Sequence, residues 1–174
     1  MPRRRARRRA RNFVGAFLLA GIVLALTGCA ASPPPPRLPL NLLYPLDPGE
    51  STSFDVVATR QWNPSGVKLL RGKRYELRVL GDHTWKDASI KTGPTGYETW
   101  LLAPFQWLRR NPSQPWFTLM GYVNSREPQV FPIGAYTVVQ PKADGELSCY
   151  ANDAAFAYDN NSGLLDLRIR RLPD

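Results

Sequence analysis

The residues best equipped for chemistry lie together near the C terminus, in the run Cys149-Tyr150-Ala151-Asn152-Asp153-Ala154-Ala155-Phe156-Ala157-Tyr158-Asp159-Asn160-Asn161-Ser162-Gly163. Asp153, Asp159, Asn160 and Asn161 crowd side-chain oxygens into a short stretch, with main-chain carbonyls between them. Such a donor set suits a hard cation: calcium takes about six to eight oxygens from carboxylates, amides, carbonyls and water. The same residue types also build ordinary turns, because Asn, Asp and Gly tolerate left-handed backbone and bond locally. Composition leaves both readings open. Catalysis is poorly served. The chain has one histidine, His83, no Gly-x-Ser-x-Gly and no His-Glu-x-x-His, so the usual nucleophile and metal-hydrolase arrangements are missing. Asp153 and Asp159 are the acid pair of this run, and a cation suits them better than glycoside cleavage does. The chain reads as a non-enzyme.

A second reactive residue is Cys29. It follows an arginine-rich start and the apolar run Phe13–Leu26, which is shorter than the roughly 20 residues of a comfortable membrane span. A basic n-region, a short apolar h-region and small residues describe an export signal. Leu26-Thr27-Gly28-Cys29 resembles the bacterial lipobox. The resemblance implies cleavage before Cys29 and a diacylglyceryl group on its thiol, an anchor stable enough to hold the protein on a membrane. Ala30 follows, not the aspartate that resembles an inner-membrane retention signal, so the expected location is the cell envelope, at the outer membrane of a Gram-negative host.

The formal charge of +9 does not mark a nucleic-acid binder. Seven of the 23 basic residues lie in the first eleven positions, leaving 16 against 14 acids in the rest. With Cys29 committed to lipid, Cys149 has no intramolecular partner. It sits in an apolar run and reads as core.

Three segments follow: residues 1–28 as signal peptide, 29–48 as lipidated cysteine and linker, and 49–174 as the folded domain. Seven prolines, four of them consecutive at Pro33–Pro36, hold the linker extended. At about 3.1 Å per residue it would lift the domain up to roughly 60 Å from the lipid. In the domain, period-two alternation dominates. Tyr75, Leu77 and Val79 alternate with Glu76 and Arg78; Leu165, Leu167 and Ile169 alternate with Asp166 and Arg168. Further strands are expected over Ser53–Thr59, Phe117–Val123, Ala135–Val139 and Glu146–Tyr150. Around Trp100–Arg110 a short helical turn is conceivable, with Pro104 interrupting it. Short strands between Gly, Pro and Asn clusters predict an all-β fold, an antiparallel β-sandwich.

The closing segment also resembles the signature of the calcium-dependent galactose-binding bacterial lectins, in Asn152-Asp153 and Tyr158-Asp159-Asn160-Asn161-Ser162-Gly163 at matching spacing. Upstream similarity takes in Trp62, Gly66-Val67, Gly72, Tyr75, Gly81, Trp85 with Asp87, Gly93-Pro94, Leu119-Met120-Gly121, Phe131-Pro132-Ile133-Gly134 and Gly145-Glu146-Leu147. The resemblance implies a jelly-roll sandwich of that lectin type. It also implies calcium held by the Asp153 carboxylate, the Ala157 carbonyl, the Asn160 and Asn161 side chains and a carbonyl near Trp85. Two sugar hydroxyls would complete the coordination, with Asp153 and Asn160 also hydrogen-bonding them.

Two departures stand out. Asp159 occupies a position where the family usually has glycine, and the family's histidine- and glutamine-bearing sugar-gripping loop has no counterpart. In its place lies a segment with Trp100, Trp107 and Trp116. Trp100 and Trp107 are expected to stack on a glycan, or else to bind another envelope protein; covering the core is the third use of such aromatics. Arg109 and Arg110 are expected to form a solvated rim.

Overall fold

The structure is a computed structural model and describes residues 33–174. The expected export signal and Cys29, the expected lipidation site, lie outside the described residues. Eleven strands form two packed sheets and a hairpin. The first sheet has the order β1 (Tyr44–Pro45), β3 (Asn63–Leu69), β10 (Gly145–Ala151), β7 (Leu119–Ser125), β8 (Gln129–Pro132). The second runs β2 (Ser51–Val57), β11 (Leu164–Arg171), β4 (Tyr75–Val79), β9 (Tyr136–Val139). All pairings within the two sheets are antiparallel except β1 with β3. A small antiparallel hairpin, β5 (Trp85–Asp87) and β6 (Ile90–Thr92), stands apart.

This is the expected all-β sandwich, and the alternation explains it. Leu165, Leu167 and Ile169 of β11 face inward and are fully buried, with Leu77 and Tyr75 from β4 and Val56 from β2. From the other sheet come Val67, Leu69, Leu119, Val123, Leu147 and Cys149. Cys149 is buried as expected, and burial pushes its thiol above the ordinary range, so it is held as a neutral core residue. Strand β3 was not expected. Its Pro64 and Gly66 break the strand pattern, and the register with β10 shifts there between Glu146 and Ser148.

The domain begins earlier than Gly49. Leu46 is fully buried in the core, Leu43 is buried, and Tyr44–Pro45 pairs with Val67–Lys68. Residues 43–46 of the expected linker are therefore packed rather than extended into solvent. The proline at position 45 is tolerated because β1 is an edge strand.

Candidate functional site

The site lies where β10 leaves the sheet, between the loop that follows it and the β5–β6 hairpin. The residues of Asn152-Asp153 divide the work. Asn152 is structural. Its amide donates to the carbonyls of Asn111, Gln114 and Pro115 at 2.9–3.0 Å, and its Oδ1 accepts from the Asn111 N–H at 2.8 Å. Its carbonyl takes the N–H of Phe117 at 2.9 Å. Phe117 is held at φ 62°, a left-handed conformation uncommon for a bulky residue, and packs edge-on against Trp85 with ring centroids 5.2 Å apart.

Asp153 is the chemical member. Only 1% of it is exposed. Oδ1 accepts from the Ala154 N–H at 2.7 Å and Oδ2 from the Asn161 amide at 2.9 Å. Among the described residues no cation forms an ion pair with it. Burial, with a smaller contribution from the neighbouring charge of Asp87, raises its pKa to about 6. Asn161 is buried too, and its Oδ1 has no hydrogen-bond partner. A carboxylate and an amide oxygen are thus both withdrawn from water without full compensation, an arrangement that is costly unless something binds there.

Sequence reasoning missed two members, Asp87 and Tyr97. The Tyr97 hydroxyl donates to Asp87 Oδ2 at 2.5 Å, and burial together with that bond pushes its ionisation far above the ordinary range. Asp87 stood in the family-like frame beside Trp85, but only the fold of the hairpin turns it toward the loop. The loop and hairpin are joined by two bonds, Lys86 N–H to the Ser162 carbonyl (2.8 Å) and Ser162 N–H to the Lys86 carbonyl (3.0 Å). Gly163 permits this closeness. It has φ 91°, and a Cβ there would stand 3.1 Å from the Thr84 carbonyl oxygen and from the Trp85 Cα.

The other expected ligands are disposed as follows. Trp85 is fully buried, its indole N–H donating to the Gly93 carbonyl at 3.2 Å. Ala157 is half-buried, and its carbonyl accepts the Asn160 N–H at 3.2 Å in the tight turn Tyr158–Asn160. Asn160 itself is exposed, next in chain to the buried Asn161. Asp159 is exposed, and it is absent from the residues with positive φ, so its side chain sits in this turn without backbone strain.

The tryptophan-bearing segment forms a 3-10 helix over Trp100–Leu108 with Pro104 inside it, longer than the short turn expected. Trp100 and Trp107 are 82% and 67% exposed, with Leu101 and Phe105 beside them in the segment. Trp116, by contrast, is buried and covers core. The segment ends on the loop: the Arg110 N–H donates to the Asp153 carbonyl at 3.2 Å, and Arg109 bridges to Ala154. The two arginines do not form a solvated rim. Arg109 is buried, with Nη2 donating to the Pro112 carbonyl at 2.7 Å. Arg110 lies over the rings of Tyr150 (3.7 Å) and Trp62 (4.1 Å) and donates to the Tyr158 hydroxyl at 2.9 Å. Aromatic faces take the place of an acid partner for Arg110.

The donor chemistry points to a hard cation. Among the described residues no three His, Cys, Asp or Glu side chains come together, so a zinc-type set is not formed here. The buried oxygens of Asp153 and Asn161, with Asp87 nearby, are of the kind a hard cation takes.

The chain is similar to a solved structure described as the EclA N-terminal domain, a PllA-like lectin. Identity is 23%, the match covers 68% of this chain and 94% of that one, and the TM-score is 0.50. The fold is lectin-like. No family model matches the chain, and comparison with curated proteins finds no match either.

Proposed function

We propose that this protein is a lipid-anchored envelope lectin whose domain binds a glycan through a calcium ion held by the loop after β10. The observation that carries the reading is the buried, cation-free Asp153 carboxylate beside the unpartnered Asn161 Oδ1, in a lectin-like fold. Calcium would take Asp153, Asn161, Asn160 and carbonyls of Ala157 and the Trp85 segment, and two vicinal hydroxyls would replace two metal-bound waters. Exchanging water oxygen for sugar oxygen at a metal involves little net desolvation. Trp100 and Trp107 would flank the sugar with apolar faces. Export and lipidation at Cys29 rest on the lipobox-like sequence.

Calorimetry with calcium, followed by a glycan array with and without chelator, tests the reading. One calcium per chain and chelator-sensitive glycan binding are expected. No calcium uptake by the wild-type protein would remove the proposal. The exposure of Trp100 and Trp107 favours a second reading, in which the 3-10 segment binds another envelope protein and no sugar. Under that reading, Trp100→Ala and Trp107→Ala abolish capture of the partner while Asp153→Asn does not.

A further inference from the structure

The outer face of the five-stranded sheet carries a second aromatic cluster, remote from the core. Tyr122 of β7 and Tyr150 of β10 point outward and meet Trp62, with ring centroids 5.0 and 5.2 Å from the indole. Arg110 stacks on Trp62 and Tyr150 and stiffens this wall. Pro33 and Pro34 form one wall of an open cleft of about 360 Å³, whose other walls are Trp62, Arg110, Tyr122, Val130 and Tyr150. The next proline is held by its backbone: the Asn124 amide donates to the Pro35 carbonyl at 2.9 Å. Arg37 then reaches the Ser125 carbonyl at 3.4 Å.

These are the elements that recognise a proline-rich strand. Proline rings fix φ, so little conformational freedom is lost on docking, and the tract cannot hydrogen-bond internally, leaving its carbonyls for an outside donor. Aromatic walls supply flat apolar surface to the rings, and one amide donor sets the register. We propose that this face is a polyproline-binding site, engaged in cis by the chain's own Pro33–Pro36, which border the cleft and are fastened at Pro35. The tract is then a latch that fastens the tether to the domain, not a free spacer. The latch needs neither calcium nor sugar, although Arg110 touches both the cleft and the loop after β10.

Two measurements on the full-length chain test this. Trypsin cleavage after Arg37, followed by mass spectrometry, reads latch opening. Tyr122→Ala and Asn124→Ala should each raise it at least about fivefold, while Val138→Ala on the opposite sheet leaves it unchanged. In a chain with Pro33→Gly, Pro34→Ser, Pro35→Gly and Pro36→Ser together, a labelled peptide of residues 30–42 should bind at least tenfold tighter than to wild type. Adding Tyr122→Ala to that chain should remove the binding. Wild-type cleavage rates in both cleft variants, or failure of the proline-free chain to bind the peptide, overturns the proposal. A dimer whose tracts exchange between copies overturns the assignment in cis.

Discussion

At the scale of single residues, Asp153 links stability to pH and, under the proposed function, to calcium. Its pKa is about 6 in the folded chain against an ordinary 3.8. Between about pH 4 and 6 the native state therefore binds a proton that the unfolded chain has released. Stability falls as pH rises through this window, by about 3 kcal/mol for a two-unit shift. In chelator, the melting temperature is expected to be higher at pH 5 than at pH 7.5. Asp153→Asn should flatten that difference and raise stability at pH 7.5. Added calcium should stabilise the wild type more at pH 7.5 than at pH 5, because metal and proton compete for one carboxylate. Scanning calorimetry at the two pH values, with and without calcium, reads all three. A wild-type melting temperature in chelator that rises with pH across this window would contradict the burial argument. Asn161→Ala removes a proposed ligand oxygen and the 2.9 Å bond to Asp153 together. Calcium affinity measured by calorimetry should fall at least about tenfold in this variant.

At the scale of elements, the site depends on how the loop meets its neighbours. Gly163→Ala adds a Cβ at positive φ, 3.1 Å from backbone atoms of the β5–β6 hairpin. Destabilisation of about 1–3 kcal/mol is expected in urea melts, with weaker calcium binding as the hairpin moves away. Asn152→Ala should be at least as damaging. It removes the bonds to the carbonyls of Asn111, Gln114 and Pro115 and to the Asn111 N–H, at about 2–4 kcal/mol in total, although Asn111 and Pro115 keep a second donor. Hydrogen exchange should then speed up over residues 111–117 before it does in β7. The reason is that Asn152 clamps this segment, while β7 is held from both sides by β10 and β8.

At the scale of the whole molecule, the two sheets share one core, whereas the tryptophan segment stands outside it. Leu167→Ala, at a fully buried position, should cost about 2–5 kcal/mol. Trp100→Ala with Trp107→Ala should leave the melting temperature within a degree or two, because both side chains are exposed. Glycan-array signal should nevertheless drop in that double variant. A loss of stability without a loss of binding would reassign the segment to the core. Packing of residues 43–46 into the sandwich also shortens the free tether, so the domain would sit much nearer a lipid on Cys29 than the roughly 60 Å that an extended chain allows.

Some of this was legible in the sequence because it rests on local pattern. Alternation in β4 and β11 reports one wet and one dry face, which a single strand records by itself. The crowding of oxygens from Asp153 to Asn161 is equally local. Tertiary structure alone decided which oxygens lose water: it buried Asp153 and Asn161 while leaving Asn160 and Asp159 exposed. It also brought Asp87 and Tyr97 to the loop, turned Arg110 from a surface charge into the filling between aromatic rings, and packed residues 43–46 of a proline-rich linker onto a sheet. The physical reason is common to all of these. Desolvation and stacking depend on what a side chain meets across the fold, and residues such as Asp87 and Asp153, 66 positions apart, leave no mark on one another's local sequence.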